Sequence, residues 1–129
     1  MPGVSAGARL WAWLRRRAGH RGLALAILAA FDLARGAYLL AGAPEHTLSF
    51  PQAWWGVIWA ACGLFLLTGV PARRDRWQFA AAVLVKTAWA LEYARAALAS
   101  SLAYDWARTA EWLALAALVI AIAGWPEPA

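Results

Sequence analysis

Four apolar runs, each close to the length that crosses a bilayer, leave this chain few ways to fold. They lie at about 22–42, 53–70, 77–98 and 106–125, separated by the short polar links "APEHTLSFPQ", "PARRDR" and "SSLAYD". A transmembrane helix needs about 20 consecutive apolar residues to match roughly 30 Å of hydrocarbon. The runs are rich in Ala and Leu, show no period-two alternation, and are about twice the length of a barrel strand. The expected fold is therefore all-α: a four-transmembrane-helix bundle over 22–129, preceded by a basic arm over 1–21.

Composition supports lipid as the solvent. The chain is 64% hydrophobic and 15% charged, with a mean hydropathy of +0.53, whereas a soluble domain carries about 25% charged residues. The single cysteine, Cys62, excludes an internal disulfide and a multi-cysteine metal site. Within an apolar run it reads as a small packing residue. Pro71 and Pro126 follow Gly69 and Gly124 by two positions, a helix stop in which glycine supplies a left-handed cap and proline blocks continuation.

The basic residues outside the spans give an orientation. Arg9, Arg15, Arg16, Arg17 and Arg21 lie in the N-terminal arm and Arg73, Arg74 and Arg76 in the second link, while the first and third links have none. Cytoplasmic loops carry the excess of Lys and Arg, so both termini and the second link are expected inside, in a cell inner (cytoplasmic) membrane. Trp54, Trp55 and Trp106 are expected as anchors at the outer boundary, and Trp77 and Trp125 at the inner one, because amphipathic rings favour the headgroup level. Trp59, Trp89 and Trp112 fall deeper and read as packing residues. Residues 5–18, "SAGARLWAWLRRRA", read either as an interfacial helix meeting anionic lipid of the inner leaflet or as a disordered basic arm. A cleaved secretory signal is disfavoured, because Asp32 and Arg35 separate the apolar run from the small residues at 41–43.

Charges inside the spans pose the central question. Asp32 and Arg35 lie in the first span, Lys86, Glu92 and Arg95 in the third, and Arg108 and Glu111 in the fourth, a balance of +1. In all three helices the acid lies deeper than its arginine, and each acid–arginine pair is spaced i,i+3, on one helix face. One charge at the bilayer centre costs about 2.5–3.5 kcal/mol on insertion scales. Seven unpaired central charges would cost on the order of 15–25 kcal/mol, above the typical stability of a domain, about 5–15 kcal/mol. The expectation is a paired polar cluster in the outer half of the bundle, joining the first, third and fourth helices, with the second as an uncharged wall or lipid-facing member. Lys86 lies about 120° around its helix from Glu92. It either pairs with Asp32 across the bundle or snorkels to the interface.

The figure "DLARGA" (32–37) returns as "EYARAA" (92–97), each followed by a polar turn, a Trp-rich span start and a Gly-x-Pro stop. This suggests a duplicated hairpin, 22–71 and 77–126, with the copies related by an axis along the membrane normal.

No zinc helix signature, phosphate-binding glycine loop, dinucleotide fingerprint or nucleophile elbow is present. No catalytic, cofactor-binding or metal residue is therefore assigned, and an enzyme is not expected. His20 and His46 lie on opposite sides of the first span and cannot share a site within one chain. The one-sided arginines are accounted for by topology rather than by nucleic acid.

The pattern as a whole resembles small four-span membrane proteins encoded by phages of actinobacteria. The residues carrying the resemblance are "DRWQFAAAVLVKTAWALEYARAAL" (75–98) and "IAGWPEP" (122–128), within a similarity covering most of 22–128. It implies a multi-span protein of the host inner membrane and, for some members, a lysis role beside holins and endolysins. Three roles stand open: a holin-like protein that oligomerises, a scaffold or accessory protein whose charges fix helix register, and a small ion- or proton-coupled carrier acting as an oligomer. The expected partners are the bilayer and further copies of the same chain.

Overall fold

The structure, a computed structural model, describes residues 3–42, 51–72, 74–100 and 103–126. His46, Arg73, most of the first link and residues 127–129 lie outside the described residues. All regular structure among them is helical: α1 (Ala6–Leu40), α2 (Gln52–Gly69), α3 (Arg76–Ser100) and α4 (Ala103–Ala123).

α1 is not one rod. Gly19 takes φ 65° and ψ −171°, a combination open essentially to glycine alone, and divides the element into limbs over 6–18 and 20–40. Five helical rods result among the described residues. The first limb opens at Ser5, whose hydroxyl accepts from the Ala8 N–H at 3.2 Å, the usual way of satisfying an orphan donor at a helix start. Residues 6–18 are therefore helical rather than an irregular arm, with Leu10, Trp11 and Trp13 exposed.

Three helical segments are long and apolar enough to cross a membrane: Gly19–Leu40, Gln52–Gly69 and Asp105–Ala123. Three helices rather than the expected four meet this measure, and α3 is the one that does not. This helix has 25 residues, about 37 Å at 1.5 Å per residue, so length is not what sets it apart. Lys86, Glu92 and Arg95 interrupt its apolar sequence, and the first two are buried.

The helices pack as two hairpins. α1 runs closely against α2 and α3 against α4; α2 and α3 form a lesser seam, and α1 touches α3 and α4 only slightly. The division falls where the repeated sequence figure places it. Small residues set the α1–α2 distance. A Cβ on Gly36 would stand 2.7 Å from the Ala60 nitrogen and 2.8 Å from the Gly56 oxygen, so only glycine lets the two backbones approach this closely. Side-chain amides tie the helix ends together. Gln52 donates to the Leu39 carbonyl at 2.9 Å, and Gln78 donates to the Thr68 hydroxyl at 3.0 Å.

α2 and α4 stop at Gly69 and Ala123, beside the two Gly-x-Pro figures. The cap differs from the expected one. The described glycines with positive φ are Gly19 and Gly42, and Gly69 instead makes room for Leu25 and Gln78, which its Cβ would meet at 2.8 Å.

The surface inverts the usual order of a water-soluble fold. Ile27, Leu64, Leu84, Leu91, Leu98, Leu118 and Ile120 are exposed, Leu98 to 74%, while Asp32, Lys86 and Glu92 are buried. Soluble monomers rarely expose apolar area so extensively.

Candidate functional site

The contacts described for the seven charges expected inside the spans include a buried pair across the hairpins, a guanidinium stacked on rings and pairs along α3 and α4.

Asp32 on α1 and Lys86 on α3 meet across the hairpins. Lys86 Nζ donates to Asp32 Oδ1 at 2.8 Å, with the lysine 1% and the aspartate 0% exposed. Of the two fates open to Lys86, cross-bundle pairing is the one found. α2 closes the site from the side, and its buried Cys62 thiol faces the Asp32 carboxylate. Cys62 is thus a packing residue in contact with a charge.

Indole and phenyl rings surround the pair. Lys86 Nζ stands 5.2 Å from the Trp59 ring centroid and 5.7 Å from that of Phe31. The Arg35 guanidinium, one turn along α1 from Asp32, lies 5.1 Å from Trp89, 5.5 Å from Trp112 and 5.6 Å from Tyr38. Ring faces carry negative charge density, and a desolvated cation gains about 2 kcal/mol from such a face. The rings also hold one another. Trp55–Trp89, Trp59–Trp89 and Trp89–Tyr93 meet edge to face at 5.0, 5.8 and 6.0 Å, and Trp59–Trp112 pack tilted at 5.5 Å. Every helix contributes to this wall. Trp59, Trp89 and Trp112, expected as packing residues, also serve as the local solvent for two cations.

Two of the three acid–arginine pairs predicted along single helices are seen, in α3 and α4. Glu92 and Arg95 approach to 3.6 Å and Arg108 and Glu111 to 2.9 Å, both i,i+3. Glu92 is buried, but Glu111 is 58% exposed and Arg108 42% by side chain. The expectation that Glu111 joins a buried cluster is corrected: its face of α4 looks outward. The link between α1, α3 and α4 runs through Arg35 and the rings.

A groove of about 450 Å³ opens between α1 and α4, where the hairpins barely touch. Phe31, Ala34, Arg35 and Tyr38 line it on one side and Arg108, Glu111, Trp112 and Leu115 on the other.

Sequence reasoning missed a second polar junction. Arg21, at the base of the 20–40 limb, grips Asp75 with two bonds, Nη2 to Oδ1 at 2.5 Å and Nε to Oδ2 at 3.0 Å. Its other terminal nitrogen donates to the carbonyls of Ala123 and Trp125 at the end of α4, and the guanidinium lies 4.9 Å from the Phe79 ring. The forked donors of arginine suit such a bidentate contact. Asp75 precedes the first residue of α3, its carbonyl accepting from the Phe79 N–H, where negative charge also suits the helix dipole. Arg21 reads as one more topogenic arginine and Asp75 as one more link residue, so neither stands out in sequence. The available signal is that Arg21 directly abuts the apolar run.

Four of the five expected interfacial tryptophans, Trp54, Trp77, Trp106 and Trp125, are exposed; Trp55 is the exception at 4%, turned inward against Trp89. Among the described residues, no group of His, Cys, Asp and Glu is arranged to hold a metal ion. No protein-family model, curated protein or solved structure matches the chain.

Proposed function

We propose that the chain is a four-span integral protein of the cytoplasmic membrane, with both termini inside, and that it serves as a non-catalytic scaffold in which buried charges fix the register of two duplicated hairpins. One observation carries this reading. α3 exposes Leu84, Leu91 and Leu98 at seven-residue spacing while it buries Lys86 and Glu92. A helix in water would present the reverse. α3 falls short of a span on composition because of its charges, yet the two that are buried have partners that offset their transfer cost, Asp32 for Lys86 and Arg95 for Glu92. The scaffold role draws support from the filling of the space around the Asp32–Lys86 pair by Phe31, Trp59 and Cys62.

A second reading, holin-like assembly of many copies, draws support from α4. Its exposed Ala110, Ala114, Ala117 and Ala121 form a face of small residues, the kind along which membrane helices associate closely.

Cysteine labelling in a Cys62→Ala background tests the topology. Four spans place His46→Cys and Tyr104→Cys within reach of an impermeant maleimide from outside and Arg74→Cys within reach only from inside. Labelling of position 104 from the same side as position 74 would mean that α3 does not cross.

A further inference from the structure

The break at Gly19 falls at a fixed level of the bundle. Two residues further on, Arg21 bonds Asp75 and the carbonyls of Ala123 and Trp125. The base of the 20–40 limb is thereby tied to the start of α3 and the end of α4. Trp77 and Trp125, exposed at that end, are rings of the kind that favour headgroups. In the proposed orientation the limb over 6–18 therefore starts at the headgroup level of the inner leaflet. A straight continuation of α1 would carry it about 20 Å into water at 1.5 Å per residue. Gly19, at φ 65° and ψ −171°, breaks that line, in a conformation that needs glycine.

The limb itself has two sides. Among its described side chains, at about 100° per residue, Trp13, Leu10 and Trp11 share an arc of about 160°, and Arg15, Arg16 and Arg9 an opposite arc of about 120°. All six are exposed, Leu10 to 57%, Trp11 to 46% and Trp13 to 49%. The Arg15 guanidinium lies 5.7 Å from the Trp11 ring, where the two arcs meet. No Asp or Glu occurs before position 32, so the limb carries no acid to balance its arginines. Its helix is already capped at Ser5, which spares most of the ordering cost of binding. An anionic bilayer surface suits both arcs at once: the apolar side chains enter the headgroup boundary and the arginines meet phosphate oxygens. A nucleic acid would meet the arginines and leave Leu10, Trp11 and Trp13 in water.

We infer that the limb over 6–18 is a lipid-charge reader: it lies along the anionic headgroups of the inner leaflet, turned there by an elbow at Gly19, with Arg9, Arg15 and Arg16 on the headgroups and Leu10, Trp11 and Trp13 beneath them. This inference rests on the membrane reading proposed above. The bundle supplies the anchor and the depth, and the limb responds to the composition of the leaflet beside it.

The test uses the full chain in a Cys62→Ala background, one copy per nanodisc, in phosphatidylcholine alone or mixed with phosphatidylglycerol. An environment-sensitive fluorophore is attached at Gly7→Cys, on the apolar arc with nothing within 4 Å of a Cβ, or at Ala8→Cys, on the basic arc. In the anionic discs the label at 7 is expected to shift to the blue and to escape quenching by acrylamide, while the label at 8 stays quenchable. In phosphatidylcholine both stay quenchable. Arg16→Gln lowers the ratio of docked to lifted limb about fivefold, and Arg9→Gln/Arg15→Gln/Arg16→Gln about a hundredfold, at about fivefold per basic residue. Gly19→Ala straightens α1 and exposes the label at 7, with helicity by circular dichroism showing that the chain is folded. Equal behaviour in the two kinds of disc, as a purely topogenic role of the arginines requires, overturns the inference. So does shielding that appears only with two chains per disc or only on addition of DNA. Shielding kept in full by a folded Gly19→Ala variant overturns the elbow. Alkaline carbonate extraction of cell membranes separates the two readings. A chain released into the supernatant ends the membrane reading itself, whereas a chain that stays in the pellet with its limb indifferent to lipid charge ends only the assignment of the limb.

Discussion

Lys86 and Asp32 form a 2.8 Å ion pair in which neither partner reaches the surface and each belongs to a different hairpin. Removing one partner of a buried pair leaves an uncompensated charge, at a cost of about 3–5 kcal/mol. Lys86→Met is expected to destabilise the bundle by that amount in a detergent unfolding titration, and Asp32→Leu by a similar amount. The double variant Asp32→Leu/Lys86→Met should recover most of the loss, since two apolar residues of like volume tolerate the site well. A double variant no more stable than either single one would show that the pair acts through something other than mutual neutralisation.

Arg21 predicts a different pattern, because it serves several partners. Arg21→Ala should cost about 2–3 kcal/mol, the scale of hydrogen bonds to charged groups. Asp75→Asn should cost less, since the carbonyls of Ala123 and Trp125 still hold the guanidinium. In a double-mutant cycle the two effects should fall short of additive. Full additivity would mean that the Arg21–Asp75 contact contributes nothing of its own.

Backbone contact makes Gly36 the most sensitive small residue. Gly36→Leu must push α1 away from α2, because even a Cβ would lie 2.7 Å from a backbone nitrogen. A loss of about 1–3 kcal/mol or more is expected. Gly7→Ala is the matched control. Nothing lies within 4 Å of a Cβ there, and the helical backbone favours alanine by about 0.5–1 kcal/mol. Equal behaviour of the two variants in thermal melts would remove the close-contact account of α1–α2 packing.

The filled core predicts a sealed membrane. Expression in a bacterium should leave a membrane-impermeant nucleic-acid dye excluded at levels where each cell holds abundant protein. Dye entry that tracks expression would favour the holin-like reading over the scaffold one.

Much of this architecture is legible in the sequence, for identifiable reasons. The lengths of the apolar runs and the Gly-x-Pro figures place the ends of α2 and α4 closely. Equal depth in two spans brings Lys86 to Asp32, because a long cation and a short acid within hydrocarbon have few other partners. The outward face of Glu111 is less legible: i,i+3 spacing says which residues of a helix are neighbours, not toward what they turn. Trp55 shows the same limit, since depth along the bundle and burial within it are separate coordinates. The Arg21–Asp75 contact is hidden for a third reason. Its residues also satisfy a simpler rule, the inward bias of positive charge, which absorbs them before a specific contact is sought.

Arg21 is separated by 102 and 104 positions from two of its acceptors, the carbonyls of Ala123 and Trp125. The limb over 20–40 therefore has to wait for α4 before its guanidinium meets these acceptors. Once made, the contact ties the base of one hairpin to the end of the other, so the two cannot part at this end without breaking it.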